Sequence, residues 1–316
     1  MWTFRMLRGT VFAAGATLMV LGLTVGLGSV ASAAVKEPCK VVRSGAPLEA
    51  YATLEQAVEE SLGGETLTVR GVCMGDTTIT PAASPLTIKG LNPGTHLNGG
   101  GLPGAVLTIE SGVSVAVSGL TILAGNGGEG GGIENEGELT LTKCIIERNE
   151  AEAGGGIFNR EGTLTINGSY VVSNSALNGG GILNVGATAT VNGSTIAANK
   201  ATAYGGGIDN VGEGSLTLSS SSVGRNTAQV GGGLDDGEES SSFLYGSTIA
   251  GNRAEYGGGV RNETGSALFL GRTSRIVENR ASAKEHGGGI YNEKGSLLKL
   301  GGALVSRNLP ENIFET

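Results

Sequence analysis

GGGIDN, at residues 205–210, is one of seven closely similar segments in this chain of 316 residues. Each has three glycines, a branched apolar residue, a variable residue and Asn, or Asp in one case. The other six begin at Gly130, Gly154, Gly179, Gly231, Gly257 and Gly287. Successive segments start 24, 25, 26, 26, 26 and 30 residues apart. A near-constant period in the twenties is the signature of a stacked repeat.

Each repeat contains three short apolar segments. The first is the glycine-rich segment itself, and the second is typified by GTLTI at residues 162–166, in which Leu164 and Ile166 alternate with threonines. The third follows the pattern Ile/Val-x-x-Asn-x-Ala, as at residues 196–201. Three short strands per period exclude a helical solenoid. They predict an all-β fold, a parallel β-helix with three strands per coil and about ten coils.

Two asparagine positions recur in almost every repeat. In a parallel β-helix, equivalent residues stack about 4.8 Å apart, so their amides can bond each other and the backbone. The first predicted ladder comprises Asn135, Asn159, Asn184, Asn210, Asn262 and Asn292, with Asp236 as the exception. The second comprises Asn149, Asn174, Asn199, Asn226, Asn252, Asn279 and Asn308. We interpret both as structural, and the glycines as turn residues that allow unusual dihedrals or close approach of coils.

The N-terminus has the features of a secretory signal. Arg5 and Arg8 precede an apolar run at residues 11–30, which is followed by Ala31-Ser32-Ala33. An uncleaved membrane anchor is the alternative. Loss of residues 1–33 removes two arginines and changes the formal charge from −8 to −10. The signal predicts a secreted protein. The acidic chain with no basic patch predicts no nucleic-acid partner, and the lack of a later apolar span predicts no membrane contact after cleavage.

Cysteine positions and composition suggest how the remaining chain is organised. Cys39 and Cys73 flank the first structured segment, and we expect an exported protein to join them in a disulfide; two unpaired thiols are the alternative. Residues 34–63 are predicted to form an N-terminal segment with a helix at 53–62 that caps the open end of the β-helix. Residues 64–312 are predicted to form the β-helix, and 313–316 a tail.

The segment YATLEQAVEESLGGETLTVRGVCMGDTTI at residues 51–79, followed by the repeat units, resembles the pectin lyase-like superfamily of secreted right-handed parallel β-helix proteins. The repeats are also similar to the short repeats of chlamydial polymorphic outer membrane proteins, although no C-terminal autotransporter barrel follows them. The resemblance covers about residues 40–312. It implies a right-handed coil, and because the superfamily includes polysaccharide lyases and hydrolases, it also raises the question of catalysis.

An acidic cluster is the candidate site. Asp209 and Asp235 occupy the same position in successive coils, Arg261 follows in the next coil, and Asp236 adjoins Asp235. One interpretation is a groove in which Asp209 and Asp235 bind Ca²⁺ or act as acid and base, while Arg261 neutralises a uronate or serves as a lyase base. The interpretation we favour is an exposed column with paired charges, Asp235 with Arg261, since stacked carboxylates repel unless compensated.

Coil length favours a non-catalytic function. Coils of 24–26 residues leave little chain for the long loops that wall an enzyme's cleft. We therefore predict a secreted structural, adhesive or glycan-binding solenoid whose partner is an extracellular polysaccharide or a cell-surface component. Ca²⁺ is the one cofactor candidate, and the oligomeric state is left open. The alternative is a polysaccharide lyase or glycoside hydrolase acting on an acidic polysaccharide. The candidate binding face is the one that carries Tyr204, Tyr256 and Tyr291.

Overall fold

A computed structural model of the protein describes residues 37–316, so the predicted signal lies outside the described residues. These residues form a parallel β-solenoid of about nine turns, which confirms the all-β prediction. Each full coil supplies one strand to each of three sheets, in the chain order sheet 1, sheet 2, sheet 3. Within residues 37–316, no helix has the length and hydrophobicity needed to cross a bilayer.

The strands of each sheet follow one another along the solenoid. Sheet 1 contains Ala46–Tyr51, Lys40–Arg43, Thr66–Arg70, Leu86–Gly90, Ser114–Ser118, Glu138–Thr142, Thr163–Asn167, Thr188–Asn192, Ser215–Ser219, Ser241–Tyr245, Ala267–Leu270 and Leu297–Lys299. Sheet 2 contains Val72–Met74, His96–Asn98, Thr121–Leu123, Ile145–Glu147, Tyr170–Val172, Thr195–Ala197, Ser222–Gly224, Thr248–Ala250, Arg275–Val277 and Leu304–Ser306. Sheet 3 contains Thr77–Ile79, Leu107–Ile109, Ile133–Asn135, Ile157–Arg160, Ile182–Val185, Ile208–Val211, Leu234–Asp236, Val260–Asn262, Ile290–Asn292 and Ile313–Glu315.

Some coils add a fourth short strand between sheets 2 and 3, beyond the three that were predicted. These strands are Asn126–Glu129, Glu150–Ala153, Ser175–Ala176 and Lys200–Ala201 in one sheet, and Arg253–Ala254 and Arg280–Ala281 in another. A short α-helix at Leu54–Glu59 and a 3-10 turn at Pro81–Ala83 complete the regular structure of the described residues.

The core is a set of aliphatic columns inside the solenoid. In sheet 3, Ile182, Ile208 and Leu234 pair directly across successive strands, and all three are fully buried. Since the coils stay in register, side chains of like shape stack over one another and leave few voids. Branched aliphatic residues suit this pleated wall, which explains why so few aromatic residues are needed.

The glycine triplets have two separate physical causes. Gly205 has φ +59°, a backbone conformation that side chains rarely adopt. A Cβ added to Gly206 or Gly207 would instead lie 2.5 Å from a carbonyl oxygen of the next coil. The first glycine therefore turns the chain, and the next two let neighbouring coils approach.

The second asparagine ladder is continuous. The backbone N–H and the Nδ2 of Asn174 both donate to Oδ1 of Asn199, at 2.9 and 3.1 Å. Asn199 donates from Nδ2 to the carbonyl of Val171 at 2.9 Å and to Oδ1 of Asn226 at 3.1 Å. The same pattern continues to Asn308, whose donors reach Oδ1 of Asn312. Asn312, which the sequence pattern did not reveal, therefore ends this ladder.

Different parts of the N-terminal segment cover the first edges of the three sheets. Lys40–Arg43 pairs antiparallel with Thr66–Arg70 and closes sheet 1. Pro38 bridges to Val72 in sheet 2, where the predicted Cys39–Cys73 disulfide is present. At sheet 3, Glu55 accepts a hydrogen bond from the N–H of Thr78 at 3.2 Å.

A helix over residues 53–62 as the single end cap is not supported. Helical geometry is confined to Leu54–Glu59, and Leu62, which was assigned to the apolar face, is 69% exposed. The first edge of sheet 1 is covered by the antiparallel strands Lys40–Arg43 and Ala46–Tyr51 rather than by the helix.

The predicted tail at residues 313–316 is wrong. Ile313–Glu315 is the last strand of sheet 3, with Ile313 over Ile290 and Phe314 over Tyr291. The alternation of Ile313 and Phe314 continues the inward and outward columns for one further strand, even though the repeat motif has already ended.

Candidate functional site

The variable residue of each glycine-rich segment points outward from sheet 3. Parallel pairing places these residues in one line, and Phe314 of the last strand continues it. We call this line the outer column: Glu134, Phe158, Leu183, Asp209, Asp235, Arg261, Tyr291 and Phe314. The column was predicted to be exposed, and for its central part this is wrong. Asp209 is 3% exposed and Asp235 is 1% exposed.

The turn that leads into each glycine triplet covers the central part of the column. It folds back over sheet 3 so closely that a Cβ on Gly205 would overlap the Cβ of Asp209. The residues that precede the triplets form one rim of a groove: Asn178, Tyr204, Val230, Tyr256 and His286. The residues that follow the ladder asparagines or Asp236 form the opposite rim: Val185, Val211, Gly237, Glu263 and Glu293.

A cavity of about 370 Å³ opens between the rims at the two aspartates. Its size lies within the range of small-ligand sites. The polar lining residues are Asn178, Tyr204, Asp209, Asp235, Glu238, Arg261 and Glu263.

Arg261 neutralises Asp235, as was predicted. Its Nε lies 2.6 Å from Oδ1 and its Nη2 lies 2.9 Å from Oδ2, so each carboxylate oxygen accepts one hydrogen bond from the guanidinium. The guanidinium also contacts Glu263 at 3.0 Å and Glu293 at 3.4 Å. It sits 5.3 Å from the centre of the Tyr204 ring in a cation–π arrangement. Burial raises the pKa of Asp235, while the hydrogen bonds from Arg261 oppose this.

Asp209 is not paired in this way. Its Oδ1 is buried and, among the described residues, has no hydrogen-bond partner. Burial, and then the neighbouring Asp235 carboxylate, raise the pKa of Asp209 well above its usual range. A buried carboxyl oxygen that has no hydrogen-bond donor and belongs to a residue lining a cavity is a candidate for contact with a ligand.

Asp236 faces the other side of the strand and belongs to the first ladder. It accepts from Nδ2 of Asn210 at 2.8 Å and from Oγ of Ser242 at 2.8 Å. Its Oδ2 and the Oδ1 of Asn262 in the next coil are both buried acceptors without a partner among the described residues. Burial raises the pKa of Asp236 to about 7. When protonated, the Asp236 carboxyl can both donate and accept hydrogen bonds, as the asparagine amides of this ladder do. We therefore assign Asp236 to the framework of the solenoid and not to the cavity.

Calcium is the one metal candidate that the sequence offered at Asp209 and Asp235. In the part of the chain that the structure describes, no three His, Cys, Asp or Glu side chains are grouped so as to hold a metal ion. Ca²⁺ prefers six to eight oxygen ligands. Asp235 already directs both oxygens at Arg261, so this pair alone is a poor site for calcium.

Aromatic rings continue the groove towards its C-terminal end. Tyr256 stacks on His286 with ring centres 4.0 Å apart and meets Tyr291 edge to face at 5.5 Å. Tyr291 stacks on Phe314 at 5.8 Å. Stacked rungs thus bring Tyr204, Tyr256 and Tyr291, the three tyrosines singled out from the sequence, to one groove.

Sequence reasoning missed Asn178, Glu263 and Glu293 as members of the site. The available signal was positional, because Asn178 precedes a glycine triplet as Tyr204 does, and both glutamates follow ladder asparagines. Cys144, in contrast, is a small framework residue: it is fully buried, its N–H donates to Oγ of Ser169 at 3.0 Å, and burial raises the pKa of its thiol.

Comparisons with protein-family models, with curated proteins and with solved structures found no match for this chain.

Proposed function

We propose that this protein is a secreted, non-catalytic β-solenoid that binds a glycan in the groove over sheet 3. The observation that carries the proposal is the Tyr204 ring, 42% exposed, beside a cavity lined by polar side chains. A sugar ring has an apolar face that packs on an aromatic ring and an edge of hydroxyl groups that needs hydrogen-bonding partners. Tyr204 and the polar floor offer both kinds of contact within one site.

The length of the groove supports a chain-like ligand. Tyr204 and Tyr256 lie on the same rim two coils apart, which corresponds to about 10 Å along the solenoid. Tyr291 extends the aromatic surface into the next coil from the floor of the groove. Aromatic surfaces spaced along one axis suit successive rings of an oligosaccharide better than an isolated small molecule.

Glycoside hydrolysis remains the alternative because Asp209 and Asp235 are adjacent carboxyls, and one of them has a strongly raised pKa. The ion pair of Asp235 with Arg261 argues against it. The guanidinium stabilises the Asp235 carboxylate through a hydrogen bond to each oxygen, which makes that carboxylate a weaker nucleophile and a weaker general base.

Secretion belongs to the same proposal. The Cys39–Cys73 disulfide supports it, since such bonds persist in oxidising compartments. A cell-surface or matrix polysaccharide is the partner we expect in that setting.

A glycan array followed by calorimetry on the best-bound glycan tests the proposal. We expect Tyr204→Ala to weaken binding at least tenfold, because the stacking surface is lost. Tyr245→Ala is the matched control, since Tyr245 is 53% exposed on sheet 1, away from the groove. Absence of binding to any glycan, or equal affinity in the two variants, would refute the proposal, and release of new reducing ends would show hydrolysis instead.

A further inference from the structure

We infer that the cavity holds its ligand through a protonated primary amine seated between Asp209 and Asn178, so that the ligand is a glycan containing free amino sugars. This inference rests on the proposed glycan-binding function and specifies its ligand class.

Two unsatisfied acceptors define the chemistry. Oδ1 of Asp209 and Oδ1 of Asn178 are both buried, both residues line the cavity, and neither oxygen has a hydrogen-bond donor among the described residues. Buried acceptors without donors destabilise a protein, so a ligand that supplies donors has a direct energetic advantage. An ammonium group offers three donors and no acceptor, which matches a site that lacks only donors.

The charges around the cavity also favour a cationic ligand. Asp209, Asp235, Glu238 and Glu263 line it, and Arg261 is the single cation among its described lining residues. Arg261 is already shared by Asp235, Glu263 and Glu293. An additional anion would meet repulsion without a free cation, which argues against uronates and against the acidic polysaccharide of the sequence-based alternative.

A cationic ligand also couples binding to a proton. The charged groups that act on Asp209 are Asp235, Arg261, Glu238 and Glu263, and burial is the largest influence on its raised pKa. An ammonium beside Asp209 favours the ionised carboxylate, so binding below the pKa of the free site releases a proton. Affinity should therefore rise with pH until the ligand amine itself loses its proton.

Calorimetry with a glucosamine hexamer and an N-acetylglucosamine hexamer tests the inference, each titrated in two buffers of different ionisation enthalpy. We expect the free-amine hexamer to bind at least tenfold more tightly and to release protons on binding. Asp209→Asn, which keeps the shape and removes the charge, should abolish this preference. Asp236→Asn is the matched control, because it changes a buried carboxyl in the adjacent column that does not line the cavity, and should leave binding unchanged.

Each other outcome has a defined meaning. Equal affinity for the two hexamers, or stronger binding of the N-acetylated one, overturns the amine inference but leaves glycan binding intact. Failure of both hexamers while another glycan binds also overturns it, and failure of every glycan refutes the proposed function as well. Binding that requires added Ca²⁺ and is lost with a chelator contradicts the ammonium site. If Asp209→Asn does not fold, Asn178→Ala decides, because the inference requires it to weaken the amine preference.

Discussion

The asparagine ladders and the outer column of sheet 3 are built by the same coils but differ in how their polar groups are satisfied. In the ladder that passes through Asn199, every amide has a partner above and below it. In the outer column, Asp209 is as deeply buried but has an oxygen without a partner among the described residues. The ladder is satisfied because the same asparagine recurs in successive coils. The outer column changes residue type from coil to coil, and its unsatisfied oxygen lies where the cavity opens. The difference separates residues that hold the solenoid together from residues available to a ligand.

Asn199→Ala should break the ladder and produce the largest effect. It removes the acceptor for two buried donors of Asn174 and leaves the carbonyl of Val171 without its donor. We expect a loss of about 4 kcal/mol in the free energy of unfolding, since each orphaned buried group costs about 1–3 kcal/mol. Chemical denaturation measures it. The control is Asn192→Ala, which removes a half-buried hydrogen bond to Asn167 on sheet 1. A similar loss of stability in that variant would contradict a larger contribution from the buried ladder.

Arg261→Met tests the paired part of the outer column. Removal of the guanidinium leaves the buried Asp235 without its partner, which we expect to destabilise the fold by about 3 kcal/mol. The loss should be smaller at low pH, where Asp235 can take up a proton. Arg253→Met, at an exposed position, should change stability by less than about 0.5 kcal/mol. An equal effect of the two substitutions would argue against a buried ion pair.

Asp236→Asn should repair the irregular rung of the first ladder. In the folded protein the pKa of Asp236 is raised to about 7, above its unfolded value, so the folded state keeps a proton that the unfolded state has lost. Stability therefore falls as pH rises from about 4 to about 7, by up to about 1.4 kcal/mol per pH unit.

We expect the Asn variant to be more stable than wild type by at least about 2 kcal/mol at pH 8, with the difference shrinking as the pH falls towards 4. Urea denaturation across this range checks it. Asp76→Asn, at an exposed position, is the control. A constant difference between variant and wild type at all pH values would show that Asp236 carries no raised pKa.

Most of the fold could be predicted because the residues that determine it recur in successive coils. The period of the glycine triplets, the recurring asparagines and the alternation around Leu164 each specify the same register. The ends were harder, since Ile313 lies beyond the last repeat and Lys40–Arg43 pairs antiparallel, outside the periodic pattern. Single-copy features leave no internal comparison from which to infer them.

The site was predicted only in part. The alignment of Asp209, Asp235 and Arg261 follows from the period, and so does the ion pair. Their burial does not, because it depends on how closely the Tyr204–Gly205 turn folds back over the strand. The distance between this turn and the strand that carries Asp209 is set by backbone geometry. The residue types alone indicated a solvated surface.

The most direct test of a ligand role for Asp209 is the free energy of unfolding of Asp209→Leu at pH 7, compared with wild type. Leucine already occupies the same position one coil earlier, at Leu183, where it is 6% exposed. If Asp209 is retained for a ligand and not for the fold, the substitution should stabilise the free protein by about 1 to 2 kcal/mol. A loss of stability of similar size would contradict that role, because the carboxyl would then be supporting the solenoid.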